Sequence, residues 1–224
     1  MGCVDFGSSM KVVLFDHDDT LVSTIRAKWA QHKYVAKKFY GKELCDSEIR
    51  LHWGKPLTVL IKNLYETDNI DMAMSYNLAT REKFPKSLFE DTLDTLASLR
   101  QSGLKLGLVT ATTRSSLEHD LKTLKISKEF FQYIQTEDDT VLHKPDPRVF
   151  DPILRWLSAQ NIQPSEVVYV GDAITDMKAA IGVGFHFIGV GTGLVSPEEF
   201  AEQNVQSIKR LGDLKKFFPS RVVS

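Results

Sequence analysis

The chain has 224 residues, of which 42% are hydrophobic and 25% charged, and its formal net charge is −1. This length is enough to bury a hydrophobic core, while the near-neutral charge provides no basic field for nucleic acid or an anionic membrane. Only two cysteines occur, there is no signal-like N-terminus, and no apolar run approaches the roughly 18 to 20 residues of a membrane span. We therefore expect a cytoplasmic protein that has neither a disulfide framework nor contact with a membrane.

The first predicted element follows a short N-terminal extension. Residues 1–9 contain Gly and Ser and precede a second methionine, so we leave them outside the predicted fold. Val12 to Phe15 form a short apolar run, which is typical of a strand buried on both faces. Asp16 ends this run and Asp18 follows two residues later, so in extended backbone both side chains point the same way and can hold a cation beside a reacting group. Aspartates also favour turns and helix caps, and this run alone leaves both interpretations open.

The next segment, residues 22–87, is predicted to be an all-helical module inserted after the first strand. Helical spacing of apolar residues favours four helices, at Thr24–Tyr40 before Gly41, near Asp46, at Pro56–Tyr65 and at Asp71–Phe84. Stripes of Trp, Phe and Leu of this kind are more often the core of a helical module than a ligand site.

From Pro85 onward, helices and strands alternate. The predicted helices are Leu88–Arg100, Ser115–Leu124, Pro147–Gln160, one ending at Gly182 and one starting near Pro197, and the predicted strands are Leu104–Val109, Phe131–Gln135, Val167–Val170 and Phe185–Val190. Such alternation implies right-handed crossovers and a parallel sheet covered on both faces. We predict an α/β fold in which residues 10–21 and 88–224 form a Rossmann-like core domain and residues 22–87 form the helical insertion.

Polar residues stand where the predicted strands end. Open parallel sheets bind ligands beyond the carboxyl ends of their strands. The residues that fall there are Asp16, Asp18, Thr110 and Asp172, joined by Asp176 one helical turn after Asp172 and by Lys144 in the stiff HKPDP loop. Each has a simpler interpretation as a cap, a turn former or a solvated charge. Together they are the residue types needed to bind a metal ion and a phosphate group.

In these motifs the chain resembles the haloacid dehalogenase superfamily, and within it the helical-cap group that includes phosphoglycolate phosphatase and beta-phosphoglucomutase. The first motif, Asp-x-Asp-x-Thr, is matched by Asp16, Asp18 and Thr20; the others are matched by Thr110, by Lys144 and by Asp172 with Asp176. The resemblance spans nearly the whole chain from Met10, with all four motifs in order.

This resemblance implies a magnesium-dependent enzyme that acts on a small phosphorylated metabolite. It implies that Asp16 is the nucleophile, Asp18 the general acid and base, and Thr110 and Lys144 the groups that hold the phosphoryl group. It also implies that Mg²⁺ is bound by Asp16, the backbone carbonyl of Asp18 and Asp172, with Asp176 in support. Thr20 and Ala111 complete the predicted phosphate-binding residues.

Two residues in the first motif depart from the group. Asp19 stands where Gly is frequent, which we interpret as a tolerated change. His17 stands where relatives often have an apolar residue, and the sequence indicates no role for it.

Several reactions occur in this superfamily, and the residues discriminate between them. Asp18 and Asp172 argue against a dehalogenase, which needs neither a proton donor nor a metal, and Asp18 also argues against a phosphonatase. Thr20 favours a phosphatase over a phosphomutase, in which Val is frequent at this position. A phosphomutase and a catalytically silent phospho-ligand-binding protein remain as alternatives.

The stretch HWGKPL, between two predicted helices of the insertion, is the candidate for substrate selection. Related capped phosphatases have a similar Gly and Pro loop, so Trp53 is predicted to form an apolar wall and Lys55 to provide a cation for a second anionic group. The alternatives are a core tryptophan and a solvated lysine. We expect a monomer or a weak homodimer.

Overall fold

The computed structural model describes residues 9–218. Residues 24–87 form one compact unit and the other described residues form a second. The predicted N-terminal extension lies outside the described residues, except for Ser9. Among residues 9–218, no helix combines the length and the apolar character needed to cross a membrane.

The unit formed by residues 24–87 is helical. Its helices are α1 (Ile25–Tyr40), α2 (Asp46–His52), α3 (Leu57–Tyr65) and α4 (Ile70–Thr80), followed by a 3-10 turn at Arg81–Lys83. Helix α1 ends where the sequence predicts, because Gly41 adopts the left-handed conformation (φ 65°) that closes a helix C-terminus. Its core contains buried side chains from all four helices, among them Val35, Ile49, Ile61 and Ala73.

The second unit contains a six-stranded sheet in the order β5-β4-β1-β6-β7-β8. All neighbouring strands are parallel. The strands are β1 (Val12–Phe15), β4 (Lys105–Val109), β5 (Tyr133–Gln135), β6 (Val167–Gly171), β7 (His186–Val190) and β8 (Gln206–Ile208), and two short strands, β2 (Val22–Ser23) and β3 (Ser87–Leu88), lie where the chain passes between units. The predicted α/β fold with a parallel sheet is therefore confirmed.

Both faces of this sheet are covered by helices. These are α5 (Thr92–Gln101), α6 (Arg114–Thr123), α7 (Asp151–Ala159), α8 (Ile174–Gly182) and α9 (Pro197–Glu202), with 3-10 turns at Lys128–Phe130, Glu137–Asp139, Pro147–Phe150, Pro164–Glu166 and Leu211–Lys216. Strand β1 is completely buried. Its side chains alternate between two cores, Val13 and Phe15 in one and Val12 and Leu14 in the other, as the continuous apolar run predicts.

The structure corrects several of the predicted elements. The helix predicted at Asp71–Phe84 ends earlier, because α4 ends at Thr80 and a 3-10 turn follows at Arg81–Lys83. Helix α5 begins at Thr92 rather than Leu88, because Leu88 belongs to strand β3. The single helix predicted over residues 147–160 is a 3-10 turn followed by α7, whose first turn contains Pro152; proline has no N–H to continue the preceding helix. Strand β8 was missed because its three residues, QSI, carry no apolar run, and it lies at the sheet edge.

Candidate active site

The central strands bring the predicted site residues to one edge of the sheet. Strands β4, β1 and β6 are neighbours, with Phe15 paired to Leu108 on one side and to Val170 on the other. The first residues beyond these strands are Asp16, Thr110 and Asp172. Their backbones remain tied to the sheet, since Asp16 N–H donates to the Val170 carbonyl at 2.9 Å and Thr110 N–H to the Gln135 carbonyl at 3.0 Å.

Lys144 reaches into this edge from its loop. Its Nζ donates to Oδ1 of Asp16 at 2.8 Å, to Oδ1 of Asp176 at 2.5 Å and to the hydroxyl of Tyr169 at 2.8 Å. Only 9% of the lysine side chain is exposed, so these partners stand in place of water. Burial alone would lower the pKa of Lys144, but the carboxylates of Asp16 and Asp176 outweigh it and raise the pKa well above its usual value. The lysine is therefore a fixed positive charge at the sheet edge.

Three carboxylates surround this charge. One oxygen from each of Asp16, Asp172 and Asp176 lies within 4.8 Å of the others. Burial raises the pKa of Asp16 to about 6, against the opposing effect of Lys144. Burial, followed by the charges of Asp176 and Asp16, raises the pKa of Asp172 well above its usual value. One lysine thus leaves the carboxylates under-neutralised, and a cluster of carboxylate oxygens with excess negative charge fits a hard divalent cation such as Mg²⁺.

Asp18 faces a different partner. Its Oδ2 accepts a hydrogen bond from Thr112 Oγ1 at 2.6 Å. Thr112 N–H in turn donates to Thr110 Oγ1 at 3.1 Å, so the turn after β4 connects Asp18 to the predicted phosphate-binding threonine. Sequence reasoning missed Thr112, although the run of threonines after a strand was visible.

The remaining predicted phosphate-binding residues differ in exposure. Ala111 is exposed in the same turn. Thr20 is fully buried, and its hydroxyl has no hydrogen-bond partner among the described residues. Binding of a phosphate by either residue stays a prediction.

Trp53 and Lys55 belong to the helical unit. The Trp53 ring lies edge-on to Trp29, with centroids 5.9 Å apart, and packs against the helical core. Lys55 is exposed, and its Nζ lies 3.1 Å from His52 Nδ1. Their roles in substrate selection stay predictions.

Asp19 has a backbone conformation that favours glycine. Asp19 has a φ of 55°, in the left-handed region that glycine enters without cost and that aspartate tolerates better than most residues. Its carbonyl accepts a hydrogen bond from Thr192 Oγ1 at 2.5 Å. Thr192, in the loop after β7, is a second neighbour of the first motif that the sequence did not reveal.

Tyr169 is the third residue that sequence reasoning missed. It lies fully buried in β6, and its hydroxyl accepts from Lys144 and donates to the Val109 carbonyl at 2.8 Å. It therefore joins the end of β4 to the lysine. A tyrosine within an otherwise aliphatic strand was the available signal, because a buried hydroxyl needs a partner.

The fold and these side chains define an α/β enzyme in which a lysine lies among aspartates at the carboxyl edge of a parallel sheet. A family model described as haloacid dehalogenase-like hydrolase matches residues 13–190. The chain belongs to this family of hydrolases, so the predicted family and the prediction of an enzyme are confirmed.

Individual proteins are similar over nearly the whole chain. The pyrophosphatase PpaX of Bacillus pumilus is 30% identical over 211 residues, which cover 92% of this chain and 95% of the relative. A haloacid dehalogenase-like family hydrolase, SP0104 of Streptococcus pneumoniae, superimposes with a TM-score of 0.75 at 22% identity, covering 95% of this chain and all of that one. A predicted phosphoglycolate phosphatase of Haemophilus somnus 129PT gives a TM-score of 0.77 at 18% identity, with coverages of 93% and 98%. At these identities the two structures are similar in fold alone.

Proposed function

We propose that this hydrolase is a magnesium-dependent phosphatase that cleaves a small phosphate monoester through an aspartyl-phosphate intermediate. The observation that carries the proposal is the contact between Lys144 and Asp16 at 2.8 Å. The lysine holds the Asp16 carboxylate in place, and the same cation can neutralise an incoming phosphoryl group as the carboxylate attacks it. In further support, the relative from B. pumilus is named a pyrophosphatase, and pyrophosphate, like a monoester, presents a phosphoryl group.

In the first step, a carboxylate oxygen of Asp16 attacks phosphorus, and the bond from phosphorus to the leaving oxygen breaks. Asp18 donates its proton to that oxygen. Asp16 and Asp18 follow the end of β1 with one residue between them, and the Asp18 carboxylate accepts a hydrogen bond from Thr112 Oγ1. General acid catalysis of this kind contributes a factor of roughly 100 to 10,000.

In the second step, Asp18 removes a proton from water as the water oxygen attacks the phosphorus of the aspartyl phosphate. This releases phosphate and restores both carboxyl groups. Lys144, whose pKa is raised by its carboxylate neighbours, stays charged and holds the phosphoryl oxygens, together with Thr110.

The residues proposed to hold Mg²⁺ are Asp16 and Asp172, with the backbone carbonyl of Asp18. When bound, the cation would neutralise negative charge on the phosphoryl group and the carboxylates. Asp176 orients the lysine, since it bonds Lys144 Nζ through Oδ1 at 2.5 Å and the Ala173 N–H through Oδ2 at 3.1 Å.

The nucleophile is tested by Asp16→Asn. We expect loss of turnover with an unchanged circular dichroism spectrum, and we expect beryllium fluoride to inhibit the parent by mimicking the bound phosphoryl group. The matched control is Asp94→Asn, on the exposed surface of α5, which should keep full activity. A folded Asp16→Asn protein that still turns over would remove Asp16 from this role.

The metal and the substrate are tested together in a panel of phosphate monoesters and inorganic pyrophosphate, ranked by kcat/KM. Activity should require Mg²⁺, disappear with a chelator and be poorly supported by Ca²⁺, whose larger coordination shell would displace the carboxylates. Normal turnover after chelation would contradict the metal site. Interconversion of sugar phosphates without release of phosphate would favour the phosphomutase instead. We also propose a cytoplasmic location, because the sequence has only two cysteines and therefore suits a reducing compartment.

A further inference from the structure

His17 lies between the two catalytic carboxylates in sequence, and neither the sequence nor the proposed mechanism uses it. The structure buries it completely. Its Nε2 lies 3.1 Å from Oδ2 of Asp120 in helix α6, which is 103 residues away. Nδ1 is also buried and has no partner among the described residues. The imidazole is therefore held at one point, by Asp120.

The alternation of side chains along β1 explains this direction. Val13 and Phe15 point into the core that contains Leu117 and Leu121 of α6, and His17 is the next position of the same parity. The Asp16 carboxylate instead faces Lys144, whose Nζ donates to its Oδ1 at 2.8 Å. The His17–Asp120 pair therefore lies beside the apolar contact between β1 and α6, near the candidate active site.

The backbone of His17 closes the loop that follows. Its carbonyl accepts hydrogen bonds from Leu21 N–H at 3.0 Å and Val22 N–H at 3.1 Å, and Asp19 N–H donates to the Val22 carbonyl at 2.6 Å. The His17 side chain connects this loop to α6, and the His17 carbonyl connects the two ends of the loop by hydrogen bonds. The orientation of the peptide that leads into Asp18 depends on both.

Asp18 lies against the same pair. Ligand atoms of His17, Asp18 and Asp120 all lie within 4.8 Å of one another, and the Asp18 carboxylate also accepts a hydrogen bond from Thr112 Oγ1 at 2.6 Å. A shift of the imidazole would therefore move the residue that is proposed to deliver the proton.

We propose that the His17–Asp120 pair is a positioning device, which fixes Asp18 at the distance from the leaving oxygen that proton transfer requires. The inference rests on the proposed phosphatase function. It assigns no proton-transfer step to His17 or Asp120, which act through Asp18. A pair that only stabilised the fold would slow all substrates alike, whereas a pair that positions the proton donor must matter most when the leaving group needs a proton.

The test measures kcat/KM for phenyl phosphate, 4-nitrophenyl phosphate and 2,4-dinitrophenyl phosphate with Mg²⁺ present. These esters have similar shapes, but each added nitro group makes the leaving phenolate more stable. Phenyl phosphate therefore depends most on protonation of the leaving group, and 2,4-dinitrophenyl phosphate depends least. The ratio kcat/KM covers only the steps up to the first irreversible one, which is formation of the aspartyl phosphate. It therefore isolates the step in which Asp18 acts as an acid.

The informative variant is Asp120→Leu, which removes the acceptor of His17. We expect kcat/KM to fall about 10- to 100-fold on phenyl phosphate, the loss typical of a displaced catalytic group, and to fall much less on the dinitrophenyl ester. Asp120→Asn keeps a hydrogen-bond acceptor and His17→Gln keeps a donor. Each of these variants should therefore keep most of the parent kcat/KM on phenyl phosphate, unlike Asp120→Leu. Glu118→Ala, on the exposed side of α6 where it pairs with Lys128, is the matched control and should match the parent on all three esters.

Two results would overturn the inference: equal losses on all three esters, or no loss in Asp120→Leu. If Asp120→Leu does not fold, the double variant His17→Phe with Asp120→Leu takes its place, because an apolar pair can replace a buried polar pair without a large loss of stability. The double variant should show the same dependence on the leaving group. If it does not, the positioning role of the His17–Asp120 pair is rejected. A parent that hydrolyses none of the esters would instead reject the proposed phosphatase function.

Discussion

His32, in helix α1, provides a measurable link between burial and stability. It is 2% exposed, its Nδ1 lies 2.7 Å from the hydroxyl of Tyr65, and that hydroxyl donates to Asn77 Oδ1 at 3.1 Å. Because the tyrosine hydroxyl gives its proton to Asn77, His32 supplies the proton for its own bond from Nδ1. Burial, with a smaller contribution from Lys28, lowers the pKa of His32 from 6.5 to about 3. The folded chain therefore holds a neutral imidazole.

The lowered pKa determines the direction of the pH effect. Below a pH of 6.5 the unfolded chain binds a proton that the folded chain does not, so stability falls as the pH falls from this value toward 3. Between pH 7.5 and pH 5, His32 alone should lower the free energy of unfolding by about 2 kcal/mol, since each pH unit below the unfolded pKa contributes about 1.4 kcal/mol.

The assay is urea unfolding of the parent and of His32→Phe at several pH values. Tryptophan fluorescence is a suitable probe, because Trp29 and Trp53 both pack in the helical unit. The stability advantage of the parent over the variant should shrink by about 2 kcal/mol from pH 7.5 to pH 5. Tyr65→Phe is the control: it removes the hydroxyl but leaves His32 buried, so the pH dependence should persist. A difference between parent and His32→Phe that stays constant across this range would refute the reasoning.

Three further substitutions test local packing and selectivity. Gly107→Ala should destabilise the protein by about 1–3 kcal/mol, measured by urea unfolding, because a Cβ there would lie 2.6 Å from Leu14 Cδ2 in the core; unchanged stability would contradict the packing. Gly171→Ala should reduce kcat with little change in fold, because the new Cβ would lie 2.7 Å from the Asp176 carboxylate; full activity would show that Asp176 has room to move. Lys55→Ala should lower kcat/KM on the preferred substrate by a factor that corresponds to about 1–3 kcal/mol of transition-state stabilisation, and it should leave kcat/KM on a small aryl phosphate unchanged. Equal effects on both substrates would exclude Lys55 from substrate selection.

The amino-acid sequence by itself determined the fold class and the residues at the strand ends. Both are local signals. The run Val12 to Phe15 is buried on both faces because a continuous apolar segment must be covered on both sides. Asp16, Thr110 and Asp172 come directly after predicted strands, and parallel strands deliver their carboxyl ends to one edge. Gly41 likewise marked the end of α1 through its own backbone preference.

The tertiary structure alone decided which distant side chains meet. Lys144 bonds Tyr169 and Asp176, Asp18 bonds Thr112, and His17 bonds Asp120. No spacing along the chain encodes these contacts, because they depend on how helices and loops pack against the sheet. The sequence around His17 is the same whether its side chain faces solvent or a carboxylate 103 residues away. Burial decides the difference, because a polar group removed from water needs a partner, and only the packed chain supplies one.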